Sequence, residues 1–302
     1  MSHVVVAYPG NEALAASLAT ATGASVVRLE HREFPDGEIY LRVDGGVDGK
    51  SVIVACGLER ANGKALGTYL LASTLRDLGA RRIVLAAPYL GYMRQDRSFR
   101  AGEGVSARYF AKFLSTFLDG LVTVDPHLHR IGDLADVYSI PTRTVAAAPA
   151  ISSWIAQNID APILIGPDSE SEQWVSEVAT GARCPFVVLA KKRHGDRDVE
   201  ITVPDLGKPT GRTPVLVDDI VSTARTMIVA TRHVIQAGHR PPVCVGVHAI
   251  FAGSAYEELK NAGAAQIITC NTIPHPTNAI DVHPAFAHAV LEMSRLPAGQ
   301  SN

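Results

Sequence analysis

The sequence has little cysteine, and what it has is not arranged for cross-linking or for metal binding. Its 302 residues include four cysteines that lie far apart and show no Cys-x-x-Cys or Cys/His spacing. This pattern indicates neither a disulfide framework nor a zinc site. Isolated thiols are typical of a protein core in a reducing compartment, so we expect a cytoplasmic protein. The four are Cys56, Cys184, Cys244 and Cys270.

The chain also lacks an excess of charge of one sign and any long apolar run. A net charge of -2 provides no basic field for a nucleic-acid backbone, so we expect no nucleic-acid partner. The first residues, MSHVVVAYPGNEA, have no basic segment ahead of an apolar core and do not predict a signal peptide. No stretch approaches the roughly 18 apolar residues that span a membrane, so we expect no membrane partner.

Short β-branched runs alternate with helical patterns throughout the chain. With 47% hydrophobic and 19% charged residues, the chain can bury a sizeable core. Repeated strand–helix–strand units predict an α/β fold of mostly parallel sheets flanked by helices. Strands are predicted at 4–6, 51–55, 82–87, 120–124, 163–165, 186–189, 214–217 and 243–247, and helices at 11–20, 64–78, 170–180 and 226–236.

A change of composition near residues 141–150 predicts a boundary between two α/β halves. A polar stretch there is followed by small residues that begin a helix. We therefore predict one domain over residues 1–145 and a second over 146–302, and the last helix can pack back on the first domain.

The strongest candidate site is the segment VLVDDIVSTART, residues 215–226. Parallel sheets bind ligands beyond the carboxyl ends of their strands, and here an apolar strand runs into the acidic pair Asp218 and Asp219. Hydroxyl residues and a helix follow, and a helix N-terminus attracts anions through its N–H groups and its dipole. A simple helix N-cap would explain one polar residue but not the acidic pair with three hydroxyls. The segment therefore predicts a phosphate site.

Two segments of the first half have residues suited to a nucleotide. In FPDGEIYLRV, residues 34–43, a turn precedes an alternating strand, and Phe34 can stack on a purine. In YMRQDRSFRAGEGVSAR, residues 92–108, four arginines follow a strand, and guanidinium groups bind polyphosphate oxygens in pairs. Taken alone, the first is an ordinary turn and the second a solvated loop with ion pairs. No Walker A motif is present, because Ala65 stands where Ser or Thr is needed.

Three further segments could contact metal or phosphate. VDPHLHR, residues 124–130, has an Asp-x-His-x-His pattern that in principle suits zinc. LIGPDSESEQW, residues 164–174, places Asp168 between a strand and a helix, where an aspartate also serves as an N-cap. AKKRHGDRDVEI, residues 190–201, is a basic stretch between two strands, which by itself is typical of a solvated loop.

These segments resemble, in their order, the motifs of the ribose-phosphate pyrophosphokinase family. DDIVSTART resembles the phosphoribosyl-pyrophosphate-binding motif that the family shares with type I phosphoribosyltransferases, and FPDGE and RQDR resemble its ATP-site motifs. The resemblance implies two similar type I phosphoribosyltransferase-like domains, the first with the ATP site and the second with the ribose-5-phosphate site. It also implies transfer of pyrophosphate from ATP to ribose 5-phosphate, Mg²⁺ as cofactor, and self-association as a dimer or hexamer.

The resemblance assigns roles to individual positions in the first domain and to the metal site. It implies that Mg²⁺ is held near His127 and Asp168. The positions implied to bind ATP are Phe34, Asp36, Gly37, Glu38, Arg94, Gln95 and Asp96.

In the second domain the resemblance implies catalysis by Lys191 and Arg193, and a one-residue shift makes Lys192 a rival for the lysine role. The sequence departs from the family pattern in two places. Residues 169–172 replace a glycine-rich stretch, and Arg225 stands where glycine is usual. The positions implied to bind ribose 5-phosphate are Arg193, Asp218, Asp219, Ser222, Thr223, Ala224, Arg225 and Thr226.

Two alternatives remain open. A phosphoribosyltransferase that consumes phosphoribosyl pyrophosphate would explain residues 215–226 but would leave FPDGE and RQDR without a role. A catalytically inactive regulatory relative would explain the two departures, although it would have no need of Lys191, Arg193, His127 and Asp168.

Overall fold

The computed structural model describes residues 2–128, 130–166, 171–194, 198–202 and 211–297. The chain forms two units, and the last helix belongs to the first of them. Residues up to Val145, together with those from His283 onward, form the first unit. The second unit is Ala146–Val282.

The first unit is built on a six-stranded parallel sheet with helices packed on it. Its strands are β1 (His3–Ala7), β2 (Ser25–Val27), β3 (Leu29–Glu33), β4 (Ile39–Val43), β5 (Ser51–Ala55), β6 (Arg82–Ala86), β7 (Gly120–Val124) and β8 (Thr142–Val145). Its helices are α1 (Glu12–Thr22), α2 (Asn62–Asp77), α3 (Ser106–Ser115) and, from the end of the chain, α8 (His283–Arg295). The strand order is β2-β1-β5-β6-β7-β8.

Every residue of β5, β6 and β7 is buried, as expected for parallel strands covered on both faces. This is why their sequences are nearly unbroken apolar runs. Helix α8 packs against α1 and the sheet through apolar side chains that include Phe286, Val290 and Met293. The two remaining strands, β3 and β4, pair only with each other in an antiparallel hairpin.

The second unit repeats this arrangement. Its strands are β9 (Pro162–Gly166), β10 (Phe186–Val188), β11 (Ala190–His194), β12 (Asp198–Thr202), β13 (Thr213–Val221), β14 (Val243–Ala249), β15 (Gln266–Cys270) and β16 (Asn278–Ile280). Its helices are α4 (Ala148–Asn158), α5 (Glu172–Ala182), α6 (Arg225–Gln236) and α7 (Ala255–Asn261). A six-stranded parallel sheet has the order β10-β9-β13-β14-β15-β16, while β11 and β12 form a separate antiparallel pair.

The structure confirms the predicted α/β class with mostly parallel sheets. Two predicted strands, residues 51–55 and 120–124, match β5 and β7 residue for residue. The strand predicted at 214–217 is too short, because β13 continues to Val221. No helix in the described part of the chain has both the length and the apolarity that a membrane crossing requires.

Candidate active site

Asp218 and Asp219 lie within strand β13, and not in the loop that the sequence predicts. The ladder with β14 continues past them, since Asp218 pairs with Gly246 and Ile220 with His248. The Asp218 carboxylate accepts the N–H of Asp219 at 3.0 Å, and the Asp219 carboxylate accepts the N–H of Ile220 at 2.7 Å. Both residues are half-buried. The strand therefore holds two carboxylates at its carboxyl end, where a parallel sheet binds its ligands.

Only three residues, Ser222 to Ala224, connect β13 to helix α6; we call them the phosphate loop. Helix α6 begins at Arg225, one residue earlier than predicted, so Arg225 and Thr226 belong to its first turn. Ala224 is left-handed, with φ of 53°. The N-cap residue is Ala224, which makes no side-chain capping hydrogen bond, and in this sense the start of α6 is uncapped. The first-turn N–H groups of a helix have no acceptors within the helix, and a phosphate is a ligand that can accept from them.

The side chains of this region differ in exposure. Thr223 and Arg225 are exposed, Ser222 and Thr226 are half-buried, and Ala224 is buried. Hydroxyl and guanidinium donors thus stand beside the uncapped helix start. The structure brings together all the predicted ribose-5-phosphate residues of the segment from Asp218 to Thr226.

The predicted adenine-binding segment is the turn of the β3–β4 hairpin. The Phe34 N–H donates to the Glu38 carbonyl at 2.8 Å, and the Gly37 N–H donates to the Phe34 carbonyl at 2.9 Å. The Asp36 carboxylate accepts the Glu38 N–H at 3.2 Å. Gly37 has φ of 89°, a backbone conformation that favours glycine. The turn thereby presents Phe34, whose side chain is 39% exposed and is stacked by the Arg32 guanidinium at 4.5 Å.

The arginine-rich segment divides into an exposed part and an anchored part. Arg94 is exposed. Gln95 is anchored to the start of helix α3, because its side-chain oxygen accepts the Ser106 hydroxyl at 3.1 Å and its carbonyl accepts the Ala107 N–H at 3.2 Å. The carboxylate of Asp96 is buried and lies 3.4 Å from the Arg130 guanidinium. This placement gives Asp96 a structural partner inside the unit.

The predicted metal-binding and catalytic positions are only partly described. His127 is half-buried in the segment that follows β7. His129 and Asp168 lie outside the described residues. Lys191, Lys192 and Arg193 do not form a loop, as the sequence predicts, but lie in strand β11, whose backbone pairs with β12.

The candidate metal positions offer few protein ligands. Among the described residues, no three His, Cys, Asp or Glu side chains gather into a metal-binding group. Mg²⁺ usually takes one or two protein ligands and completes its shell with water and substrate phosphates. The candidate pair of His127 and Asp168 matches that limited ligand number.

The thiols have core character. Cys56, Cys244 and Cys270 are buried as predicted, and Cys184 is partly exposed. Burial raises the pKa of Cys56 to about 12 and that of Cys244 to about 12. Neither thiol is therefore an accessible thiolate near neutral pH.

The sequence prediction missed a second loop beside the phosphate loop. This support loop, residues 250–253, follows β14. The Phe251 N–H donates to the Val221 carbonyl at 2.8 Å, and the Ala252 N–H donates to the Ser222 carbonyl at 3.0 Å. Its position after a buried parallel strand is the signal that could have revealed it.

Comparison with known proteins supports the assignment over nearly the whole chain. The N-terminal domain of ribose phosphate pyrophosphokinase matches residues 3–117, and the phosphoribosyl transferase domain matches residues 136–287. The ribose-phosphate pyrophosphokinase of Methanopyrus kandleri is 32% identical over 293 residues, which cover 96% of this chain and 99% of that protein. The one from Halobacterium salinarum is 32% identical over 286 residues, covering 93% and 98%.

A solved structure has the same fold. The phosphoribosylpyrophosphate synthetase from Mycobacterium smegmatis superposes with a TM-score of 0.84 at 23% identity, covering 96% of this chain and 98% of that one. Two domain matches, relatives aligned over almost their full length, and the shared fold agree with the loop geometry after β13. The chain belongs to the ribose-phosphate pyrophosphokinase family.

Proposed function

We propose that this chain transfers pyrophosphate from ATP to the anomeric hydroxyl of ribose 5-phosphate. The anomeric oxygen attacks the β-phosphorus, the bond from that phosphorus to the oxygen bridging to the α-phosphorus breaks, and AMP leaves with that oxygen. The products are phosphoribosyl pyrophosphate and AMP. The observation that carries this proposal is the presence in one chain of both the acidic end of β13 before α6, which suits a ribose phosphate, and the exposed Phe34 turn, which suits a purine.

Ribose 5-phosphate binds at the phosphate loop of the second unit. The first-turn N–H groups of α6 and the hydroxyls of Ser222, Thr223 and Thr226 bind the 5-phosphate, and the helix dipole adds roughly half a positive charge there. Asp218 and Asp219 accept hydrogen bonds from the ribose hydroxyls. Arg225, which is exposed at the first helical position, adds a cation near the phosphate.

ATP binds through the first unit. The exposed ring of Phe34 stacks on the purine, and Asp36, Gly37 and Glu38 form the turn that carries it. Arg94 and Gln95 bind the phosphates, with Asp96 supporting the segment from inside. In this family the Phe34 turn serves a neighbouring subunit's site, so we also propose that the chain self-associates.

Catalysis consists of positioning and neutralising charge. Lys191 and Arg193 neutralise the charge that develops on the transferred group, as basic residues do in other phosphoryl transfers. His127 and Asp168 would hold Mg²⁺. When bound there, Mg²⁺ would neutralise negative charge on the phosphates. The buried thiols fit a reducing cytoplasm.

One assay tests this proposal against its alternatives. The protein is incubated with ATP, Mg²⁺ and ribose 5-phosphate, and AMP and phosphoribosyl pyrophosphate are measured. We expect the two products in equal amounts. A phosphoribosyltransferase would produce neither from these substrates, and an inactive relative would bind them without turnover. The absence of AMP would therefore overturn the proposal.

A further inference from the structure

The support loop contains an unusual backbone conformation. Phe251 has φ of 39°, in the left-handed region. For a bulky side chain a positive φ is a genuine outlier, and it persists only where the surroundings hold it. Ala224 in the phosphate loop is also left-handed, with φ of 53°. Two neighbouring loops after two paired strands thus both contain a strained, non-glycine residue.

The two loops are joined through the backbone. The Phe251 and Ala252 N–H groups donate to the carbonyls of Val221 and Ser222, the last residue of β13 and the first of the phosphate loop. These carbonyl groups cannot reorient without breaking the two bonds. The conformation of the support loop therefore constrains the start of the phosphate loop.

Two rings hold Phe251 in place. Its ring lies 4.6 Å from the His275 ring and 5.5 Å from the Tyr256 ring, and the last two lie 5.2 Å apart. Phe251 and Tyr256 meet edge to face, as do Tyr256 and His275. We call these three residues the ring cluster. Each ring contacts both others, so the cluster holds the strained residue from two sides.

The His275 ring is itself fixed by hydrogen bonds. Its Nδ1 lies 2.8 Å from the Thr277 hydroxyl and accepts the Thr277 N–H at 3.3 Å. The His275 N–H donates to the Asn278 side-chain oxygen at 2.9 Å. Burial lowers the pKa of His275, which favours the neutral ring. The ring cluster is thus anchored on β16 and the segment before it.

We propose that Phe251, Tyr256 and His275 are positioning residues that set the shape of the phosphate loop and thereby the affinity for ribose 5-phosphate. This inference rests on the proposed function. The cluster acts through the two backbone hydrogen bonds. Loss of a ring lets Phe251 relax, and the Val221 and Ser222 carbonyls shift with it. The first-turn N–H groups of α6 then no longer converge on the phosphate.

The test compares ring-cluster variants with a matched core variant. Phe251→Ala and His275→Ala remove a ring, while Tyr256→Phe retains the ring and loses only its hydroxyl. Leu259→Ala is the control, because Leu259 lies in the same helix as Tyr256 and is fully buried in the core cluster. KM is measured for ribose 5-phosphate and for ATP, and ribose 5-phosphate binding is measured directly by calorimetry without turnover.

We expect Phe251→Ala and His275→Ala to raise KM for ribose 5-phosphate about tenfold and to leave KM for ATP nearly unchanged. The effect is smaller than the roughly 100-fold loss of rate that a 1 Å misplacement can cause. Tyr256→Phe and Leu259→Ala should bind ribose 5-phosphate like the wild type. If Phe251→Ala does not fold, Phe251→Leu and Tyr256→Leu replace it, and we expect the same rise in KM for ribose 5-phosphate.

Two results would overturn the inference. Ring-cluster variants with unchanged affinity for ribose 5-phosphate would show that the cluster does not position the loop. An equal rise in KM for Leu259→Ala would show general loosening of the unit. In both cases the wild type still binds ribose 5-phosphate and makes AMP, so the proposed function stands. A wild type that binds no ribose 5-phosphate overturns the proposed function instead.

Discussion

The loop after β5 in the first unit and the loop after β13 in the second occupy the same place in sheets of the same strand order. In each, a left-handed residue stands just before the helix, Arg60 with φ of 54° and Ala224 with φ of 53°. The contents of the two loops differ. Helices α2 and α6 both start at an alanine without a side-chain cap, but only β13 has two adjacent carboxylates near its end.

After β5, the protein's own side chains occupy the corresponding place. The Lys64 ammonium donates to the Gly57 carbonyl at 2.7 Å and also binds the Glu59 carboxylate. The Asn11 side-chain oxygen accepts the Gly57 N–H at 2.8 Å. The same fold therefore makes an internally paired loop in one unit and, in the other, the loop that we propose as an anion site. Function depends on the loop residues placed on the fold.

The largest expected effect comes from removing both carboxylates at the end of β13, because the corresponding strand β5 ends in apolar residues. In Asp218→Ala/Asp219→Ala, two hydrogen bonds that the ribose hydroxyls donate to carboxylates are lost, each worth about 1.5–3 kcal/mol. We expect kcat/KM for ribose 5-phosphate to fall roughly 100- to 10,000-fold, while KM for ATP changes little. Glu59→Gln in the first unit is the control, and an equal loss there would contradict the distinction between the two loops.

The second prediction concerns Lys191, the cation proposed to contact the substrate. Whereas Lys64 is paired inside the first unit, Lys191 is proposed to act on the transferred phosphates. Lys191→Ala should lower kcat about 100- to 1,000-fold, the range seen when one preorganised charge-stabilising group is removed, with ribose 5-phosphate binding nearly intact. Lys192→Ala is the matched control in the same strand. If Lys192→Ala lowers kcat and Lys191→Ala does not, the catalytic role belongs to Lys192.

A smaller effect, on stability alone, is expected in the internally paired loop of the first unit. Lys64→Met retains the apolar stem but leaves the Glu59 carboxylate half-buried without its cation. We expect the free energy of unfolding to fall by about 1–3 kcal/mol, with KM for ribose 5-phosphate unchanged. Lys64→Met/Glu59→Gln should recover much of the loss in urea unfolding. A raised KM would indicate that this loop contributes to substrate binding.

The smallest effect is a pH dependence carried by one histidine in each unit. Burial lowers the pKa of His3 in the first unit and of His275 in the second below the ordinary 6.5. Below that pH the unfolded chain takes up protons first, so the free energy of unfolding decreases as the pH falls. His275→Gln should weaken this decrease between neutral pH and about pH 5, as measured by urea unfolding. If the free energy of unfolding of His275→Gln depends on pH as in the wild type, His275 does not contribute to this pH dependence.

The sequence predicted the central strands best, and of the hairpin it predicted β4 but not β3. Strands β5 and β7 are buried on both faces, so an apolar run alone defines their ends. The hairpin strand β3, Leu29–Glu33, was not predicted, because its charged sequence lacks alternation and it pairs only with β4. The end of β13 was predicted too early, since the polar pair at Asp218 and Asp219 interrupts the apolar run although the pairing with β14 continues.

The sequence by itself determined the alternation of strands and helices, the order of the motifs, and the segment proposed to bind phosphate, because these depend on neighbouring residues. Only the tertiary structure decided that Asp96 is buried against Arg130 and that Phe251 meets His275. Those partners are far apart in the chain and meet because parallel strands bring distant loops to one edge of a sheet. The pairing of β13 with β14 therefore decides which residues support the phosphate loop.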